Sequence, residues 1–173
     1  INNSIQEIKP SGIRNFCDIA SEMDDVISLS IGEPDFQTPW HIREEGINSL
    51  KNGKTWYSPN RGFAQLREEI ANYYARRFNI SYEGKTQVLD TVGGSEAIDL
   101  AFRCLVSEGD VVIIPEPSFV CYEPLTHMAG GKAVIINTKA EDEFRLKADD
   151  LEKAITDKTK LVVLPFPNNP TGA

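Results

Sequence analysis

Basic charge, paired cysteines and long apolar runs are what this 173-residue sequence lacks. Its 18 lysines and arginines are outnumbered by 26 aspartates and glutamates, for a net charge of −8. Nucleic acid and anionic membrane surfaces need a broad basic face, so neither is an expected partner. A helix N-terminus can still hold a small anion locally. The cysteines are Cys17, Cys104 and Cys121, odd in number and far apart, and the only histidines are His41 and His127. No metal-ligand spacing results, and reduced thiols in a cytoplasmic protein are the expectation. No apolar run reaches the roughly 18 residues of a membrane span. The opening INNSIQEIKP lacks the basic-then-apolar pattern of a leader.

Two nucleotide signatures are missing as well. Gly53-Lys54-Thr55 and Gly84-Lys85-Thr86 look like the tail of a phosphate loop. That loop needs a glycine five places before its second one, where this sequence has Asn48 and Asn79. No GxGxxG occurs, which removes the dinucleotide fingerprint.

What is present is an alternation of two kinds of segment. VISLSIG, residues 26–32, reads as a short strand. Thr38-Pro39 looks like an N-cap with proline at the first helical position, opening a helix to about Lys51 that Asn52-Gly53 stops. Its face carries Ile42, Gly46 and Leu50. Leu66, Ile70 and Tyr73 recur at helical spacing over 63–77. QVLDTV, residues 87–92, reads as a strand. Gly93-Gly94 breaks it, and a helix follows with Ala97, Ala101, Cys104 and Leu105 on one face. DVVIIP, AVIIN and KLVVL, residues 110–115, 133–137 and 160–164, read as strands, with a helix over 147–155. Strands alternating with helices indicate an α/β protein with a mainly parallel sheet, covered on both faces. Ligands of such sheets bind at the carboxyl ends of the strands.

Three unusual loops follow strands at such ends. In GGSEA the glycines let the backbone turn tightly, Ser95 can cap the helix, and the amides of Ser95, Glu96 and Ala97 are candidate phosphate donors. An ordinary βα turn explains that loop equally well. In PEPSFVCYEP the prolines stop the strand, and Phe119 sits where a ring could stack on a flat ligand, or pack in the core. In FPNNPTGA, Asn168 and Asn169 each offer a carboxamide donor and acceptor, or simply serve a turn.

GGSEAIDLA, PEPSFVCYEP and PFPNNPTGA, in that order, resemble the class I/II aminotransferases, fold-type I enzymes that use pyridoxal 5′-phosphate. ISLSIGEPDFQTP and YSPNRGFAQLREEIANYY fit the same family, so the resemblance runs from about Ser11 to Ala173. It is greatest toward the bacterial branch with aspartate-, aromatic- and diaminopimelate-type enzymes. The resemblance implies a three-layer α/β/α large domain, truncated here, over 41–173, preceded by an arm or small-domain segment over 1–40. It implies that Gly94, Ser95 and Glu96 cradle the cofactor phosphate. Phe119 would stack on the pyridine ring, and Asn169 would hydrogen-bond its 3-oxygen. Gly32 would help hold the substrate carboxylate. Tyr57 would reach the phosphate of the neighbouring subunit, making the enzyme a homodimer. Ile13, Arg14 and Phe16 fall near the substrate entrance.

The family also needs an aspartate in a D-E-x-Y run, a lysine in an S-x-S-K context and a late arginine. None of the ten lysines has that context and no D-E-x-Y occurs. The expectation is an N-terminal fragment of an aminotransferase, inactive alone, with no catalytic lysine and no metal. A C–S lyase of the same fold, an aminotransferase-like ligand-sensing domain of a transcription regulator, and an unrelated phosphate-binding α/β domain remain open readings.

Overall fold

The computed structural model describes residues 3–6, 8, 12–27, 32 and 34–173, and the side chains of all of these but 3, 4 and 14. They form two compact units. One is Gly12–Thr91; the other is Val92–Ala173 with the described residues among the first eleven. The boundary expected near residue 40 concerns the domains of a whole enzyme and is not the division seen within this chain.

The first helix, α1 (Asn3–Gln6), belongs to the second unit. The first unit holds α2 (Gly12–Ser21), α3 (Trp40–Lys51) and α4 (Ala64–Phe78). The strand expected at 26–32 falls largely on residues 28–31, outside the described residues. Helix α3 begins one residue later than expected. Pro39 is its N-cap, extended at φ −50° and ψ 140°, and its carbonyl accepts the amides of Ile42 and Arg43. The expected stop holds: Asn52 caps the end and Gly53 turns left-handed at φ +68°. The apolar face of α3 buries none of its residues.

Helix α4 spans the predicted segment, but its buried stripe is rotated from the expected one. Ala71 is buried and Arg67 and Ile70 are half-buried, while Leu66 and Tyr73 stay exposed. Arg67 explains the rotation. Its guanidinium turns inward and Nη1 donates to the carbonyls of Gly84 (2.9 Å) and Lys85 (2.8 Å). A side chain at Gly84 would lie 2.9 Å from the Cα of Glu68, so the 84–85 turn lies directly on the helix. Asn79 ends α4 in the left-handed conformation, φ 55°, where an asparagine is tolerated.

Residues 87–92 form no strand. Asp90 instead donates its amide to the Arg61 carbonyl (3.2 Å), and its carboxylate lies over Gly62. A strand needs a neighbour to pair with, and none of the three sheet strands pairs with these residues.

The second unit runs α5 (Gly94–Leu105), β1 (Val111–Glu116), α6 (Tyr122–Met128), β2 (Lys132–Asn137), a 3-10 turn at Ala140–Asp142, α7 (Ala148–Ala154) and β3 (Thr159–Val162). The strands form a parallel sheet in the order β2-β1-β3. Val111 pairs with Lys132 through to Glu116 with Asn137, and on the other side Ile113 pairs with Val162. Val112, Ile113 and Ile114 are buried to 1% exposure or less, so β1 is covered on both faces, as its unbroken apolar run predicts.

Val112 and Ile114 meet Phe102 and Val106 of α5, with Leu125 and Ala129 from α6 and its end packed around them. The face of α5 turned to the sheet therefore carries Ile98 and Phe102, continued by Val106 at its C-cap. The face expected from the sequence, Ala97, Ala101, Cys104 and Leu105, is exposed. Helix α7 packs on β2 and none of its residues joins that cluster. A right-handed β2-α7-β3 crossover carries α7 to the opposite face. Helix α6 was not expected from the sequence, and it contains Pro124. That proline stands in the first turn, where the missing amide hydrogen has no helical acceptor to lose. Thr126, fully buried, satisfies itself by donating to the Tyr122 carbonyl (2.8 Å).

Gly53 and Gly62 both have left-handed backbones, but only Gly62 has something overhead: an added Cβ would sit 1.9 Å from Asp90 Oδ2. Gly53→Ala should cost about 1 kcal/mol, the conformational penalty alone. Gly62→Ala should cost on the order of 2–3 kcal/mol, because Asp90 must also be displaced. Denaturant unfolding of each variant measures the difference; equal costs would contradict the packing described.

Candidate functional site

The site lies at the carboxyl end of the second unit's sheet. Parallel β1 and β3 both point their carboxyl ends that way, and α5 runs back through residues 106–110 into β1. Its N-terminus therefore lies at the same end. The sequence places a distinctive loop at each of these three points.

Gly93 is the N-cap of α5, at φ 92° and ψ 167°, a backbone that only glycine adopts easily. No side chain caps the helix, so Ser95 lies inside the first turn rather than at its cap. The Ala97 amide is not free either, since it donates to the Gly93 carbonyl (3.4 Å). The donors left over are the amides of Gly94, Ser95 and Glu96, one residue earlier than the trio expected. None has an acceptor among the described residues, because an i−4 carbonyl does not exist for them. All three residues are exposed. The Glu96 carboxylate turns back to accept the Val92 amide, which fixes the turn from behind.

After β1, Phe119 is half-buried, with the Tyr122 ring meeting it edge to face (centroids 6.0 Å, planes at 85°). Tyr122 thus sets the angle of the Phe119 ring. Burial raises the pKa of the Cys121 thiol above its ordinary value. Burial, and then the neighbouring Cys121, raise that of the Tyr122 phenol. Both side chains are therefore neutral near pH 7, which suits a flat, uncharged wall.

After β3, the two asparagines separate. Asn169 is exposed and its carboxamide has no partner among the described residues. Asn168 is half-buried, and its Nδ2 donates to the Pro117 carbonyl (2.8 Å) and to Thr171 Oγ1 (2.9 Å). The loops carrying Phe119 and Asn169 are thereby joined directly. A cavity of about 620 Å³ opens beside them, lined by Pro115, Pro117, Phe144, Leu164, Phe166 and Asn168 among others. Its lining includes neither Ser95, Phe119 nor Asn169.

The remaining predicted residues belong to the first unit. Tyr57 is completely exposed, and Gly32 has nothing within 4 Å of where a Cβ would stand. Residue type alone leaves Asn168 and Asn169 alike; the resemblance singles out Asn169, and neither reading gives Asn168 a partner in Pro117 or Thr171. A carbonyl acceptor 51 residues away leaves no local pattern to find. Among the described residues no group of His, Cys, Asp or Glu is placed to hold a metal ion. No helix there is long and apolar enough to cross a membrane.

A family model described as aminotransferase class I and II matches residues 24–173. The Bacillus subtilis protein YugH is 48% identical over 173 residues, all of this chain and 45% of its own length. The aspartate aminotransferase of Pyrococcus abyssi is 42% identical over the whole of this chain and 44% of its own length. A solved structure of a Thermus thermophilus aspartate aminotransferase mutant superimposes with a TM-score of 0.91 at 36% identity, covering all of this chain and 46% of that one. The chain thus spans a little under half the length of the relatives it matches.

The half-buried Cys121 thiol gives a direct check on the Phe119 wall. Alkylation of Cys121 should reach half its maximal rate at a higher pH than that of a free model thiol, because only the thiolate reacts. Peptide mass spectrometry across a pH series reads this; a profile matching or below the model thiol would place Cys121 in a more polar setting.

Proposed function

The chain belongs to the class I and II aminotransferases, and from that premise we propose that the full protein moves an amino group between an L-amino acid and a 2-oxo acid with pyridoxal 5′-phosphate. What supports this reading is that the parallel sheet and the α5–β1 connection bring three kinds of group to the same end of the sheet. They are unpaired helix amides, a tethered aromatic ring and a free carboxamide.

These residues fit that cofactor. Its phosphate needs several donors, and the amides of Gly94, Ser95 and Glu96 supply them at the positive end of α5. Its flat ring needs an apolar face, which Phe119 offers. Its ionised ring oxygen needs a donor, which the Asn169 carboxamide provides. Pyridoxal 5′-phosphate, when bound, supplies the electron sink that makes loss of an amino acid's α-proton feasible. The chain's own residues bind and orient it. Gly93 and Glu96 hold the turn open, Tyr122 angles the ring of Phe119, and the apolar wall keeps water from one side.

In the same reading, Gly32 helps hold the substrate carboxylate and Tyr57 reaches the phosphate in a neighbouring subunit, so the working enzyme is a homodimer. The complete exposure of Tyr57 leaves it available for that. The lysine that moves the proton, the aspartate facing the ring nitrogen and the arginine for the substrate carboxylate come from other residues of the full protein. The 173 residues alone are expected not to turn over. Residence in the cytoplasm belongs to this reading and agrees with three cysteines that form no disulfide with one another.

The test is to express the complete reading frame, load it with pyridoxal 5′-phosphate and offer a panel of amino acids with 2-oxoglutarate. A 2-oxo acid and glutamate are expected; ammonia and pyruvate without glutamate would make it a lyase and overturn the proposal. Gly94→Pro isolates the amide contribution. Proline suits the first helical position but has no N–H, so cofactor affinity should fall about 10-fold with the fold retained. Asn169→Ala should move the pH dependence of the bound cofactor's visible absorbance; an unchanged titration counts against its role.

A further inference from the structure

The β1–β3 ladder ends early. Its last bonded pair is the Val163 amide to the Ile113 carbonyl (2.9 Å), whereas β1 stays paired with β2 as far as Glu116 and Thr138. From there, backbone pairing no longer holds the loop with Phe119 against the loop with Asn169. The side chain of Asn168 spans that gap. One N–H of its carboxamide reaches the Pro117 carbonyl, two residues before Phe119, and the other reaches Thr171 Oγ1 in its own turn. The backbone of Asn168 is fixed too: its amide donates to the Ala173 carbonyl (2.8 Å) and its carbonyl accepts the Gly172 amide (2.7 Å). The orientation of the carboxamide follows from chemistry. A flipped group would point Oδ1 at the Pro117 oxygen, two acceptors facing each other. Oδ1 itself is buried with no partner among the described residues, so the two donors alone hold the side chain. With Asn168 turned in, its neighbour Asn169 is left on the exposed side.

We propose that Asn168 is the positioning residue of this site, setting the separation between the aromatic face at Phe119 and the carboxamide at Asn169. It touches neither cofactor nor substrate and acts through those two residues. The inference rests on the functional reading above and adds a residue to it.

Four variants of the full-length protein separate the possibilities: Asn168→Asp, Asn168→Ala, Asn168→Ser and Thr171→Val. Aspartate keeps the shape and loses both donors, alanine loses them without adding charge, and serine keeps one hydroxyl donor. Three readouts apply: affinity for pyridoxal 5′-phosphate, visible circular dichroism of the bound cofactor, and amide hydrogen exchange over residues 116–122 in cofactor-free protein. The expected affinity losses are about 10-fold for aspartate and for alanine, since the Pro117 carbonyl loses its partner. Serine should restore part of it, and Thr171→Val, which keeps the Pro117 bond, should lose less. The dichroic band should shrink and exchange at 119–122 should quicken in the same order. Variants that match the wild type in affinity and dichroism overturn the proposal, even with faster exchange, because the link would then be structural only. Loss with aspartate but not with alanine also overturns it, since charge would be the cause. A wild type that fails to take up the cofactor overturns the functional reading, and this role with it, before any variant is compared.

Discussion

Parallel pairing of β1 with both of its neighbours is the constraint from which the rest follows. Strands that run the same way must deliver their following loops to the same end of the sheet. The crossover from α5 into β1 then brings a helix N-terminus to that end as well. Groups separated by more than seventy residues in sequence are collected without any of them having to pack on another. The burial of Val112, Ile113 and Ile114 leaves β1 packed on both faces as well as paired along both edges. Contacts outside the ladder link these loops further: Glu96 behind the α5 turn, the Tyr122 ring edge-to-face with Phe119, and Asn168 across the two loops.

Much of this was legible from residue pattern. The apolar runs at 110–115 and 133–137 gave strands within a residue of their observed bounds, and α4, α5 and α7 fall where periodicity put them. Turn chemistry was legible at Asn52-Gly53, which end α3 as expected, but at the start of α5 the cap is Gly93 and not the expected Ser95. The failures share a cause. QVLDTV has the composition of a strand, but composition cannot supply a pairing partner, and Asp90 is engaged with Arg61 instead. No helix was expected after Phe119, yet α6 begins three residues later with Pro124 in its first turn. Arg67 does not read as an inward-facing residue until the carbonyls of Gly84 and Lys85 are seen waiting for it.

Helix α5 shows how a pattern can be right and its assignment wrong. Ala97, Ala101 and Leu105 do form an apolar stripe, as the spacing indicates, but the sheet takes the stripe of Ile98, Phe102 and Val106 beside it. The first stripe lines an open apolar groove of about 330 Å³ with Leu161, Val162 and Val163 along β3. A helix apolar on two sides suits a position covered on two sides. At the site, residue types were legible and their division of labour was not. The resemblance singled out Asn169 but gave no task to Asn168, whose bond to the Pro117 carbonyl is seen only in the fold.

A crystal structure of the full-length protein with pyridoxal 5′-phosphate tests the central claim most directly. The account predicts phosphate oxygens within hydrogen-bond reach of the Gly94, Ser95 and Glu96 amides, the Phe119 ring parallel to the pyridine, and the Asn169 carboxamide on the ring oxygen. A phosphate held anywhere else, with those three amides still facing solvent, would contradict it.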